Sequence, residues 1–255
     1  MTKRPELNPD NHTAVYEYYE EPQIRQWLDS LWRRAGKFLY KPEVLLSDAT
    51  RDLIEAQFAM GKSALIASNH PSGHDILALP GALHATGIAG LQQTGALGKD
   101  SLFHGPLGMV SEATGSIPVF RQKSWQNTTS RSTLLDAGKD LIHVVAKRLQ
   151  NGQSIVVMAE GTNSTEQALT HLSAKDIKGG IAHMAIAATD QASFLLPVGI
   201  HYTHDRHQKL PPRHPIVAIG EPIVEYKQTI PQVKKQILEG MQTALDLANA
   251  HQMES

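Results

Sequence analysis

After Pro42 the chain alternates short apolar runs with longer amphipathic stretches, and this alternation limits its fold more than any single residue does. Runs at 64–68, 116–120, 154–158, 194–200 and 216–219 have the length and apolar content of buried strands. Around them, 48–60, 76–85, 134–150, 178–189 and 231–251 read as helices, with Pro80 standing awkwardly inside the second. Strands parted by helices stack in layers around a shared core. The expected fold is therefore α/β: a mixed, largely parallel central sheet flanked by helices, with an N-terminal helical segment.

That N-terminal segment has its own pattern. Residues 1 to 22 are polar and hold Pro5, Pro9 and Pro22, which predicts a loose arm. From Ile24, apolar Trp27, Leu28, Leu31, Trp32, Ala35, Phe38 and Leu39 recur at steps of three and four, so an amphipathic helix is expected, interrupted at Gly36. Its apolar stripe is expected to pack on the main domain; the competing reading is a helix lying on a bilayer, where tryptophans and arginines are both at home. The expected organisation is an arm and amphipathic helix over 1–45, then an α/β domain over 46–255.

Composition excludes several roles. A formal net charge of -1 offers no basic face for nucleic acid, and zero cysteines remove disulfides, thiolate metal sites and cysteine nucleophiles. The first residues, MTKRPELNPDNH, lack the apolar core of a signal peptide, and no apolar stretch approaches the roughly 20 residues of a spanning helix. A cytoplasmic protein, peripheral to the membrane at most, is expected. The histidine-rich stretch 201–214 reads as a surface loop rather than a metal site. Gly61-Lys62-Ser63 mimics the end of a phosphate loop. That loop needs a strand before it and a helix after it, and here the order is reversed.

The segment SNHPSGHD, residues 68–75, leaves the first predicted strand with two histidines and an aspartate. A metal site on His70 and His74 needs both on one helical face, and Pro71 and Gly73 break that helix. No metal is expected. A His70/Asp75 pair needs only a loop that folds back, which Pro71, Ser72 and Gly73 supply. A carboxylate on one ring nitrogen fixes the tautomer and frees the other nitrogen to take a proton. Equally, Asp75 can simply cap the helix that follows.

Three further segments bear on that choice: GSIPVFR at 115–121, EGTNS at 160–164 and LLPVGI at 195–200. Together with His70-x4-Asp75, and in this order, they resemble the glycerolipid acyltransferase family of glycerol-phosphate and lysophosphatidate acyltransferases. LGKDSLFHGPLG at 97–108 resembles the family's linker between the first two blocks. The resemblance implies transfer of a fatty acyl group from a thioester to a hydroxyl, with His70 as general base and Asp75 orienting it. It also implies that the second and third blocks bind the acceptor. Arg121 would meet a phosphate or polar headgroup, and Gly115 would let the chain turn close by. Glu160 would accept from acceptor hydroxyls, while Gly161 and Thr162 shape its turn. Lys99, in the linker, is a further candidate cation. Each has a plainer reading: Arg121 as a strand-end cation, Glu160 as a helix cap, Lys99 as a solvated lysine.

Two departures qualify the match. The family's third block usually carries arginine where this chain has Asn163, and a neutral amide cannot replace a bidentate guanidinium on phosphate. The spanning anchors common among relatives are also missing from the sequence. The reading that follows is an O-acyltransferase using acyl-CoA or acyl-carrier protein as acyl-donor substrate, with no bound cofactor. Its expected acceptor is 1-acylglycerol-3-phosphate; glycerol-3-phosphate and a non-phosphorylated alcohol or amine are the alternatives. A non-catalytic lipid-binding protein is the rival class.

Overall fold

A computed structural model describes residues 4–125, 127–164, 169–202, 214–226 and 229–254. At its centre lies a seven-stranded sheet in the order β1-β7-β6-β2-β5-β3-β4. These strands are β1 (Glu43–Leu45), β2 (Ser63–Ser68), β3 (Gly95–Lys99), β4 (Ile117–Val119), β5 (Ile155–Met158), β6 (Ser193–His201) and β7 (Ile216–Ile219). All neighbours pair in parallel except β6 and β7, which are antiparallel. The sheet is thus mixed and largely parallel, as the sequence predicts.

Side-chain alternation along the central strands feeds two cores. Leu65 and Ala67 of β2 join Ile155 and Val157 of β5 on one face, while Ala64, Ile66 and Val156 point to the other. The first face is covered by helices α1 (His12–Glu20), α7 (Arg131–Gln150), α8 (Gly179–Ala188) and α9 (Ile230–Glu254). Helices α3 (Asp48–Ala59) and α4 (Asp75–Ala85) contribute Ile54, Leu79, Ala82 and Leu83 to the second. Every residue of β2 is buried, and a fully buried Leu or Ile contributes about 1.5–3 kcal/mol, so this strand anchors the sheet. As predicted, α3 precedes β2, so Gly61-Lys62-Ser63 sits at a helix-to-strand turn and not at a phosphate loop.

The arm is not loose. Residues 12–20 form α1, whose Val15, Tyr16 and Tyr19 are buried against α7, and the Tyr19 carbonyl accepts from Arg148 Nε at 2.7 Å. Three apolar side chains within nine polar-looking residues suffice because each is buried almost completely. Two strands also escape prediction. β1 has only three residues, and β3, Gly-Ala-Leu-Gly-Lys, has no branched apolar run. Helix α5 (Gly105–Ala113), opening Gly-Pro, and the single turn α6 (Gln122–Trp125) complete the set. Most of the histidine-rich stretch, 203–213, lies outside the described residues.

Helix α2 (Gln26–Tyr40) is the larger correction. It is continuous through Gly36 and packs on α4, but chiefly by a polar face: Asp29, Arg33, Gly36 and Tyr40 are buried, Leu28, Trp32 and Ala35 of the expected stripe are half-buried, and Trp27, Leu31, Phe38 and Leu39 are exposed. Two local features turn it this way. Gly36 lies against Gly81 so closely that a Cβ on Gly36 would stand 2.2 Å from the Leu77 carbonyl oxygen. The Arg33 guanidinium, paired with Asp29 at 2.9 Å, donates to the Thr94 carbonyl oxygen at 2.7 Å and to its hydroxyl at 3.1 Å. Pro80 now finds its place. It removes the amide that would bond the Ile76 carbonyl, and Trp32 Nε1 of α2 donates to that oxygen instead, at 3.3 Å. Among the described residues no helix is long and apolar enough to cross a membrane.

Candidate active site

The parallel strands β2 and β5, with β6, leave the sheet at one edge, and the loops that follow them meet there. Asn69, fully buried, straps the β2 exit to β6: its Nδ2 donates to the Ile200 carbonyl at 2.9 Å and its Oδ1 accepts from the Ile200 amide at 2.7 Å. The turn Pro71-Ser72-Gly73 then folds His70 back on Asp75, with Nδ1 and Oδ2 2.9 Å apart. Because a carboxylate only accepts, Nδ1 is the His70 nitrogen that donates here, the tautomer whose neutral ring has its lone pair on Nε2.

Asp75 is the first residue of α4 and makes no cap to it; its carboxylate is turned back to the site. Oδ2 also accepts from the Ser72 amide at 3.0 Å, and Oδ1 accepts from the Tyr202 hydroxyl at 2.5 Å. The side chain of Asp75 is wholly buried, whereas that of His70 keeps 17% of its surface open. Burial, with the Asp75 charge beside it, pushes the Tyr202 hydroxyl far above the usual phenol range, so it stays a donor. A buried carboxylate held by three donors beside a partly open imidazole is arranged to orient that imidazole and to stabilise its protonated form. The other histidine of the segment is elsewhere engaged: His74 Nδ1 meets the Tyr40 hydroxyl at 2.9 Å. No three His, Asp or Glu side chains gather as a metal site among the described residues.

His70 and Asp75 line a cavity of about 410 Å³ that runs between α4, α5 and α8. Its wall is mostly apolar, from residues such as Leu79, Leu102, Val110, Leu141, Ile181 and Met184. Lys99, Arg121, Gly161 and Thr162 of the sequence-predicted set also line it, as does Asn163. Arg121 Nε is buried and has no hydrogen-bond partner in the structure, and Lys99 is exposed at the end of β3.

Two expected residues stand apart from the cavity wall. Gly115, at φ 73°, makes the turn into β4, and only its neighbours Thr114 and Ser116 line the cavity. Its carbonyl accepts from Arg148 Nη1 at 2.6 Å. A Cβ there would meet Gln153 Nε2 at 2.6 Å, so the glycine serves the turn. Glu160 is buried, and its Oε1 accepts from the His70 amide at 2.9 Å and the Ser164 hydroxyl at 2.5 Å. The Ser164 amide in turn donates to the His70 carbonyl at 2.7 Å. Glu160 therefore braces the β5 exit loop against the His70 loop, and burial raises the pKa of its carboxyl group. The amides of His70 and Gly161 in the same loops already have protein acceptors, Glu160 Oε1 and the Met158 carbonyl.

Sequence reasoning missed Tyr202, which lies 127 residues from its partner Asp75 and carries no spacing signal. It also missed Arg148, a fully buried cation whose pKa burial lowers to about 10 and which clamps Tyr19, Gly115 and Gln153. Lys178, just before α8, lines the cavity beside Gly161, where a Cβ would stand 3.3 Å from its Cγ. Its position after a featureless loop gives no clue to this.

No curated protein matches the chain. A family model described as acyltransferase matches residues 48–201, which contain His70, Asp75, the cavity-lining strands and the brace at Glu160. With more than half of its length matched, the chain belongs to the acyltransferase family, which covers the glycerolipid acyltransferases.

Proposed function

We propose that the protein transfers a fatty acyl group from the thioester of acyl-CoA or acyl-carrier protein to the hydroxyl of a glycerolipid precursor, most simply 1-acylglycerol-3-phosphate. The observation that carries this reading is the His70/Asp75 pair at the wall of a largely apolar cavity. His70 Nε2 takes the proton of the acceptor hydroxyl as its oxygen attacks the thioester carbonyl carbon. Positioned proton removal of this kind contributes roughly 10²- to 10⁴-fold. Asp75 holds the imidazolium until the tetrahedral intermediate collapses, the C–S bond breaks and the proton passes to the departing thiolate. A thioester is already activated, so no covalent enzyme intermediate is required. The apolar wall suits the acyl chain.

Arg121, with an unpartnered buried Nε, is the best-placed cation for an acceptor phosphate, and Lys99 and Lys178 stand at the same cavity. Asn163 supports the second reading, an uncharged acceptor, because it puts a neutral amide on the cavity wall where the family carries arginine. A purely lipid-binding role has less support, since binding needs no oriented base. Thiol release from acyl-CoA should fall by roughly 10²-fold or more in His70→Ala, to a small residual rate, with an unchanged melting curve; full release by that variant would end the reading. Lysophosphatidate and its dephosphorylated counterpart decide the acceptor. Dependence on Arg121 of about tenfold or more, for the phosphorylated one alone, is expected for a charge-assisted contact. Equal rates that ignore Arg121→Ala would select the uncharged acceptor.

A further inference from the structure

We propose that Tyr16 and Tyr19 of α1 are positioning residues for the acceptor: their hydroxyl groups fix the short strand β4, from whose end Arg121 reaches the cavity. The proposal rests on the reading of Arg121 as the cation that meets an acceptor phosphate. Arg121 has little else to aim it. It lines the cavity, yet its buried Nε has no partner, and among the described residues no carboxylate pairs with it. Its direction is therefore set by the backbone that carries it. The sheet holds that backbone only weakly, since β4 is three residues long, ends the strand order and pairs with β3 alone. Pro118, at its middle, has no amide to give to a ladder, which is why proline is tolerated on an edge strand.

Helix α1 supplies the missing hold. The Tyr16 hydroxyl donates to the Pro118 carbonyl oxygen at 3.2 Å, and its ring meets Phe120 edge-on with centroids 5.8 Å apart. Phe120, directly before Arg121, meets Trp125 edge-on at 6.2 Å, and Trp125 Nε1 donates to Asp100 Oδ2 at 2.9 Å. Arg121 is thus bracketed on both sides. One turn further along α1, Tyr19 grips the segment that feeds β4. Its hydroxyl donates to Glu112 Oε1 at 2.8 Å, and its carbonyl accepts from Arg148, whose Nη1 holds the Gly115 carbonyl. Packing alone would be served by phenylalanine at both positions. Instead Tyr16 and Tyr19, 2% and 0% exposed, carry hydroxyls into the core, where each must find an acceptor. Both find it within residues 112–118. Because α1 lies outside 48–201, this support for the site comes from outside the family segment.

The test is a kinetic cycle on the full chain, with acyl-CoA as donor and lysophosphatidate as acceptor, over wild type, Tyr16→Phe, Arg121→Ala and the double variant. Tyr16→Phe should raise the acceptor KM by about three- to tenfold, the loss expected for one hydrogen bond, and leave kcat and the donor KM within about twofold. In the Arg121→Ala background the same change should add nothing, because the two residues act along one line. The dephosphorylated acceptor should be indifferent to Tyr16→Phe. Tyr19→Phe runs the same cycle and decides the matter should Tyr16→Phe melt below the assay temperature. An acceptor KM untouched by both substitutions, or raised equally with and without Arg121, would overturn the proposal and confine the tyrosines to the core. Wild-type kinetics in Arg121→Ala would instead overturn the phosphate reading, and this proposal with it.

Discussion

Tyr202→Phe removes one hydroxyl and little else, and it separates two roles that the geometry assigns to that side chain. The hydroxyl donates to Asp75 Oδ1 at 2.5 Å inside a fully buried site, while the Ser72 amide and His70 Nδ1 both serve Oδ2. Deleting it leaves a buried carboxylate oxygen without its strongest donor. The expected cost is about 1.5–3 kcal/mol, the range for a hydrogen bond to a charged group. If the whole of that cost is felt where Asp75 must steady the imidazolium, it corresponds to roughly 10- to 150-fold in rate. Urea melts and thiol release should be measured together, in wild type and in a His70→Ala background. With His70 present, Tyr202→Phe should lower both stability and rate. In His70→Ala the stability loss should persist, while the residual rate should not fall further, since nothing remains to be oriented. A wild-type rate in Tyr202→Phe despite the stability loss would confine Tyr202 to structure, and a further fall in rate in the His70→Ala background would show that it acts outside the pair.

Three other expectations follow from the same geometry. Burial raises the Glu160 pKa above its ordinary 4.5, so this group's stabilisation is complete below that value and is lost as pH rises through the raised one. Glu160→Gln keeps an oxygen for the His70 amide and the Ser164 hydroxyl, and should flatten the fall in melting temperature over that window; an unchanged slope would refute the assignment. Gly81→Ala would set a Cβ 2.5 Å from the Gly36 carbonyl carbon and the Lys37 amide nitrogen, so it should destabilise by about 1–3 kcal/mol through overpacking and loosen α2, read as faster amide exchange across 26–40; a neutral melt would show that the helices part easily. Exhaustive chelation should leave activity and melting unchanged, because His70 and His74 serve different partners; a stoichiometric metal lost in both His70→Ala and His74→Ala would overturn this.

The core strands were legible because each is a short apolar run, and the pairing of His70 with Asp75 was legible as one of two readings, which the turn residues between them permitted and the family resemblance favoured over a helix cap. What escaped detection depends on distant partners. Nothing near Asp29 and Arg33 announces Thr94, and nothing near Gly36 announces Gly81, so periodicity alone found the packing helix but missed the polar face that α2 buries most deeply. β3 escaped because two of its five residues are glycine, and strand pairing rather than local preference holds it. The family resemblance offers Glu160 as a ligand for acceptor hydroxyls; its structural duty, an Oε1 that ties the His70 loop to Ser164, rests on partners that no local spacing announces.

The strap through Asn69 also orders events in time. His70 and Asp75 are only five residues apart, yet the groups that hold them are remote: Glu160 is 90 residues from His70, Tyr202 is 127 from Asp75, and Ile200 is 131 from Asn69. Contacts so distant along the chain form slowly, because the entropy of closing long loops must be spent before they give anything back. A nascent chain that has just released β2, α4 and β5 therefore contains both members of the pair without the remote groups that hold them. Those are complete only once the last residues of β6 dock beside β2 and bring Tyr202 to Asp75.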